Sequence, residues 1–162
     1  MVKNIIGSLF LAGIMLVAGT AFAQDQASKD DQVLKEYFAK NHIKANKTPS
    51  GLYYTINKKG EGENAKPGQQ VSMNYIGKFL DGKKFDGNVD ENGNPVNGRT
   101  AFRFTLGMGQ VIRGWDEGIQ LLNKGCKATL YLPSGIAYGA GARGPIPANS
   151  ILVFDVEVLG MQ

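Results

Sequence analysis

The stretch from Gly107 to Gly125, GMGQVIRGWDEGIQLLNKG, constrains the fold more than any other part of the chain. It holds the single tryptophan, Trp115, and its apolar residues Val111, Ile112, Trp115, Ile119 and Leu122 recur at helical spacing. One face of a short helix is therefore apolar, while Arg113, Asp116, Glu117 and Gln120 fall largely elsewhere. Such a face has to be covered by another element. Gly125, after Lys124, predicts a C-terminal stop, and Asp116 and Glu117 lie toward the N-terminal half, where negative charge is favoured. Gly114 and Gly118 each cost about 1 kcal/mol relative to alanine inside a helix. Their presence predicts that the sheet passes close by at both positions. The stretch reads as a core helix beneath a sheet, and part of its buried face is suited to floor an apolar ligand pocket.

The covering element is read from the rest of the chain. Its 22 glycines among 162 residues favour strands and turns over a helical bundle. A 43% hydrophobic and 20% charged composition is that of an ordinary globular protein, one domain with appendages. The net charge of +4 is mild, and the basic residues form neither a stripe nor a cluster interleaved with aromatics, so nucleic acid is not expected as a partner. With one cysteine and one histidine, the chain offers no internal disulfide, no His/Cys metal cluster and no nucleophile paired with a base. No metal and no cofactor are expected. Cys126 reads as a small buried packing residue.

The chain divides into three parts. Residues 1–23 place Lys3 before an apolar run and end in Ala21-Phe22-Ala23, the pattern of a signal peptide cleaved after Ala23. That predicts a periplasmic or secreted product. The alternative is an uncleaved membrane anchor, because no charge separates Lys3 from Asp25 and about 20 residues span a bilayer. Residues 24–49 are polar apart from Val33, Leu34, Tyr37 and Phe38, and Ser28 followed by Asp31 matches a capping box, which predicts a short helix and a linker. Packing on the main domain, a dimer contact and a loose spacer are all open for it.

Residues 50–162 form the third part. Leu52–Ile56 is strand-like, and Val71, Met73 and Tyr75 alternate with Ser72 and Asn74. Asp81-Gly82 marks a turn before Phe85-Asp86. FRFTL puts Phe102, Phe104 and Leu106 on one face, KATLYL follows Cys126, and Leu152, Phe154, Val156 and Val158 alternate with Val153, Asp155 and Glu157. The sum is an α+β domain, an antiparallel sheet with one short helix laid across it. Two motifs are decoys. Gly139 to Gly144 matches G-x-G-x-x-G but leads into Pro145-Ile146-Pro147 rather than a helix. Asn88 to Arg99 approaches a calcium loop, yet its twelfth position is Arg99, where a bidentate glutamate is required.

Three segments, VSMNYIGKFLDGKKFD, FRFTLGMGQVIRGWDEGI, and AYG followed by IPANSILVFDVEVL, resemble the FKBP family of peptidyl-prolyl cis-trans isomerases. The likeness runs in order from Ser50 to Gln162, and the leader and N-terminal helix are similar to those of exported bacterial members. It implies a sheet curved around one short helix and an isomerase of X-Pro bonds that needs no cofactor. The resemblance implies catalytic roles for Tyr75, Asp86, Ile112, Trp115 and Tyr138, with substrate-binding walls from Phe85, Phe102, Val111, Ile146 and Phe154. Trp115 is then the floor beneath the proline ring, the Ile112 amide and Tyr138 hydroxyl hold the substrate backbone, and Asp86 lies at the rim. Its implied partners are proline-containing unfolded or loop segments of exported proteins, and macrolide inhibitors; a chaperone or peptide-binding module using the same pocket is the alternative.

Three departures from the family pattern stand out. Gly87 to Ala101 is longer than usual, Arg143 stands where many relatives place histidine, and the loop after Tyr138 is one residue shorter.

Overall fold

The computed structural model describes the backbone of residues 14–162 and side chains from Asp25 onward. The first thirteen residues of the predicted leader lie outside the described residues. Helix α1 runs Ile14–Lys40, so Ser28 lies inside it rather than at its cap. The segment upstream, AFAQDQA, contains no proline or glycine to stop a helix. Among the described residues, no helix is long and apolar enough to cross a membrane.

Strands follow as β1 (Asn46–Lys47), β2 (Tyr53–Lys58), β3 (Glu61–Asn64), β4 (Gln70–Lys78), β5 (Lys84–Gly87) and β6 (Phe102–Thr105). Helix α2 (Arg113–Gly118) and a 3-10 turn over Ile119–Leu121 come next, then β7 (Asn123–Lys124), β8 (Lys127–Leu132) and β9 (Leu152–Met161). Seven strands form one antiparallel sheet in the order β1-β2-β8-β9-β4-β5, with β6 also on β4, while β3 and β7 make a separate pair. This is the expected α+β architecture.

Strand β4 divides one edge between two partners, pairing Gln70–Met73 with β6 and Ile76–Lys78 with β5. Asn88 repairs the gap between them. Its Oδ1 accepts from the Tyr75 amide at 2.7 Å, its amide donates to the Tyr75 carbonyl at 3.2 Å, and its Nδ2 reaches Asn74 and the Thr100 carbonyl. A buried carboxamide thus takes the place of a missing strand, which satisfies backbone groups that would otherwise be stranded.

Side chains alternate across the sheet as the period of two demands. Leu130 and Leu132 of β8 and Leu152, Phe154, Val156 and Val158 of β9 face α2 and build the main core. Tyr131 and Val153, between them, face the other way and meet Leu34 and Phe38 of α1. The sheet is therefore covered on both faces. Cys126 is buried in the main core, and burial pushes its thiol pKa up, which keeps it protonated and inert.

The opening stretch is less helical than its periodicity predicts. Helix α2 has six residues; Ile112 is its extended cap (φ −61°, ψ 148°) and Val111 precedes it. Gly125 does not stop the helix but turns the chain into β8 at φ +82°. The two internal glycines are crowded as expected. A Cβ on Gly114 would lie 2.4 Å from Leu132 Cδ2, and one on Gly118 2.8 Å from Leu130 Cδ1. The sheet approaches through leucine side chains of β8 rather than through bare backbone.

Asp31 ties α1 to the domain edge, pairing with Lys35 at 2.7 Å, with Lys47, and with the Tyr53 hydroxyl at 2.7 Å. The Lys35 and Lys47 ammonium groups hold its carboxyl well below the usual carboxylate range. Its folded pKa is below its unfolded value, so the unfolded state takes up the proton first as pH falls. The contribution to stability is complete above the unfolded value of about 3.9 and is lost as pH drops through the folded one. The midpoint difference between wild type and Asp31→Asn is therefore expected to be largest near neutrality and to shrink below about pH 4 in thermal melts. A difference that stays constant down to acid pH would sink this assignment.

Candidate active site

The site is assembled around Trp115, which α2 holds almost fully buried. Its ring makes edge contacts with Tyr75 of β4 (centroids 5.0 Å apart, 76°), Phe102 of β6 (5.6 Å, 78°) and Phe154 of β9 (5.1 Å, 80°). Such edge-to-face pairs add about 0.5–1.5 kcal/mol each beyond buried area. Phe85 of β5 stands edge-on to Phe154 at 5.7 Å and 89°. Gly77 makes that pair fit, because a Cβ there would lie 2.8 Å from the Phe85 ring and 2.9 Å from Phe154.

Together these rings bound a cavity of about 190 Å³ lined by Tyr75, Phe85, Asp86, Phe102, Gln110, Val111, Ile112, Trp115, Tyr138 and Phe154. Nine of the ten residues implied by the sequence resemblance meet there. Ile146 does not line it; it is buried in the main core, where its amide and carbonyl pair with Arg143. Gln110 takes a wall position instead and is fixed by accepting from the Thr105 amide at 2.8 Å.

Polar groups sit at the edge of an otherwise apolar bowl. The Tyr75 hydroxyl donates to Asp86 Oδ2 at 2.8 Å, and Arg99 donates to Asp86 Oδ1 at 2.6 Å and to the Gly87 carbonyl at 3.0 Å. Burial works to raise the Asp86 pKa, but hydrogen bonds from Arg99, Tyr75 and the Gly87 amide outweigh it and hold the carboxyl below its usual range. Burial and the neighbouring Asp86 carboxylate push the Tyr75 phenol far above its ordinary value, so it is a donor at any physiological pH. Arg99, which the sequence marks only as the wrong residue for a calcium loop, is not among the pocket residues the resemblance implies. It enters from the long loop, where no periodicity marks a pocket residue.

That loop is held by its own residues. Asp90 accepts from the amides of Asn92 and Asn94, at 2.9 and 2.8 Å, and from the Asn94 carboxamide.

Two donors have no partner among the described residues. Among the described residues the Ile112 amide meets no acceptor, because the chain is extended there and only the Ile112 carbonyl enters α2, taking the amides of Trp115 and Asp116. Trp115 Nε1 is the one fully buried side-chain polar atom without a partner among the described residues. Natural interiors satisfy nearly all such atoms. The Arg143 guanidinium lies 5.3 Å from the centre of the Tyr138 ring, a cation–π contact. Asp116 holds the turn leading into α2 by accepting from the Gly107 and Gly109 amides at 2.8 and 3.0 Å.

A family model described as FKBP-type peptidyl-prolyl cis-trans isomerase matches residues 61–159. The chain belongs to this family. Among its relatives, the FKBP-type peptidyl-prolyl cis-trans isomerase FkpA of Aeromonas hydrophila is 41% identical over 144 residues, covering 88% of this chain and 50% of the relative. The probable FkpA of Neisseria meningitidis is 41% identical over 140 residues, covering 86% of this chain and 47% of the relative. The chain thus spans about half the length of these FkpA relatives. A crystal structure of FkpA from Escherichia coli matches with a TM-score of 0.67 at 34% identity, over 88% of this chain and 64% of that one. A crystal structure of AtFKBP13 also gives 0.67, at 33% identity, over 74% of this chain and all (100%) of the other. The FKBP assignment accounts for the arrangement of strands around α2.

Proposed function

We propose that this FKBP-family protein is a peptidyl-prolyl cis-trans isomerase that accelerates X-Pro rotation during the folding of exported proteins, without covalent catalysis. The observation that carries the reading is an apolar cavity with Trp115 at its base and an unpartnered backbone donor, Ile112, at its edge. A peptide bond resists rotation by about 18–20 kcal/mol because resonance gives it double-bond character. Twisting removes that resonance and much of the charge separation that water stabilises. An apolar bowl therefore disfavours the planar bond relative to the twisted one. Each tenfold in rate requires about 1.4 kcal/mol of that preference. In this reading the Ile112 amide and Tyr138 hydroxyl hold the flanking peptide, and the Tyr75–Asp86–Arg99 network keeps the rim rigid.

The same bowl is suited to macrolides; relatives from Rhizopus delemar and Dictyostelium discoideum carry the name FK506-binding protein 4. Such a ligand is expected to compete with proline peptides here. Export rests on the leader pattern of residues 1–23, and intact mass of the protein made in its host is expected to show a chain beginning at Gln24.

The deciding measurement is a protease-coupled proline-isomerisation assay. Wild type is expected to accelerate the slow phase, and Tyr138→Phe to lower kcat/KM about fivefold through one lost hydrogen bond of about 1 kcal/mol. No acceleration over buffer by wild type would refute the enzyme reading. Aggregation suppression shared by wild type and an Asp86→Leu, Tyr138→Phe double variant would then favour a chaperone using the same pocket.

A further inference from the structure

We infer that Asp30 of helix α1 is a positioning residue for Tyr138, so that the N-terminal helix forms part of the support of the active site. The inference rests on the reading of Tyr138 as a substrate-contacting residue. Asp30 is only 3% exposed, yet it lies on a helix whose other polar residues mostly face solvent. Its Oδ2 accepts from both the amide and the hydroxyl of Ser134, at 2.7 and 2.6 Å, across 104 residues of sequence. Its Oδ1 accepts from Gln26 Nε2 at 2.7 Å. Both oxygens are thus engaged, and Ser134 itself is 1% exposed.

Ser134 opens the 3-10 turn Ser134–Ile136, which leads directly into Ala137 and Tyr138. Its carbonyl accepts from the Ala137 amide at 3.0 Å and from the Gly139 amide at 2.8 Å. The backbone amides on both sides of Tyr138 therefore donate to one carbonyl, with the Gly139 carbonyl also taking the Asn149 amide at 2.8 Å, and the residue that owns the shared carbonyl is gripped by one carboxylate of α1. A buried carboxylate with two donors on one oxygen is a stiff joint, because releasing either donor leaves a desolvated group unpaired. Packing of α1 alone does not require such a joint. Leu34 and Phe38 already cover the outer face of the sheet, and an apolar residue at position 30 would bury at lower cost.

The test separates positioning from stability with three variants, each assayed where circular dichroism shows it fully folded. Asp30→Ala is expected to speed hydrogen exchange at the Ala137 and Gly139 amides about tenfold or more, and to reduce kcat/KM by about fivefold or more. Asp30→Asn keeps an oxygen for Ser134 and can offer its NH2 to a turned Gln26, so it should restore both readouts to within about threefold of wild type. Leu34→Ala removes a fully buried side chain of the same helix. It should lower the thermal midpoint while leaving exchange at Ala137 and Gly139, and kcat/KM, unchanged. The proposal is overturned if Asp30→Ala alters only the midpoint, as Leu34→Ala does, or if Leu34→Ala moves the two amides equally. Should wild type prove inactive, the exchange measurement alone decides: unchanged Ala137 and Gly139 amides reject the joint, whereas faster exchange retains it independently of the enzyme reading.

Discussion

Gly114→Ala is expected to lower the thermal midpoint of this protein, against the direction that helix propensity alone gives. Alanine in place of glycine inside a helix gains about 1 kcal/mol. At this position a Cβ would stand 2.4 Å from Leu132 Cδ2 and 2.5 Å from its Cγ, where Leu132 is itself fully buried. Leu132 has no open space to move into, and overpacking of this kind costs about 1–3 kcal/mol, occasionally more. At 2.4 Å the cost falls at the upper end of that range, about 3 kcal/mol against a gain of about 1, and the net loss of about 2 kcal/mol should appear as a fall of roughly 6 °C in a thermal melt. Gly135→Ala is the control. Gly135 also lies in a short helical turn, but a Cβ there meets nothing within 4 Å, so its midpoint should stay level or rise slightly. If Gly114→Ala matches that control, the close approach of β8 to α2 is wrong.

The second large effect concerns Trp115. Trp115→Leu removes edge contacts with three rings and the base of the cavity together. Stability should fall by roughly 2–3 kcal/mol, somewhat less than a full truncation to alanine. The loss of isomerase activity should be greater than that of Tyr138→Phe, about tenfold or more in kcat/KM under conditions where the variant is folded. Wild type supplies a second readout, because Trp115 is the single tryptophan. Its emission should change on titration with a proline-containing peptide. A folded Trp115→Leu variant with wild-type kcat/KM would remove Trp115 from the catalytic surface and leave it as core alone.

Much of the site is legible in the chain because its residues lie on elements with strict periods. The alternation of Leu152, Phe154, Val156 and Val158 assigns Phe154 to the helix-facing side, and FRFTL does the same for Phe102. Ile146 shows where that reasoning stops. Its side chain comes from an aperiodic loop, and the fold buries it in the main core rather than on the cavity wall. Arg99 and Gln110 were missed for the same reason. Nothing local in NVDENGNPVNGR says that its arginine, rather than a metal, would meet the pocket aspartate at 2.6 Å.

The sequence by itself determined the main strands β2, β4, β6, β8 and β9, their buried faces, the core role of the Gly107–Gly125 stretch and the crowding at its glycines, because each of these follows from short-range spacing and residue size. Tertiary structure alone decided that Ile112 is extended and Val111 lies in a bend before it, neither being helical, so that among the described residues the Ile112 amide meets no acceptor. It also decided that Asn88 fills a gap in β4 and that Asp30 grips Ser134. These are hydrogen bonds between polar groups far apart in sequence. A polar side chain reads as solvent-facing from local pattern, and only the fold brings to it the one partner that makes its burial favourable.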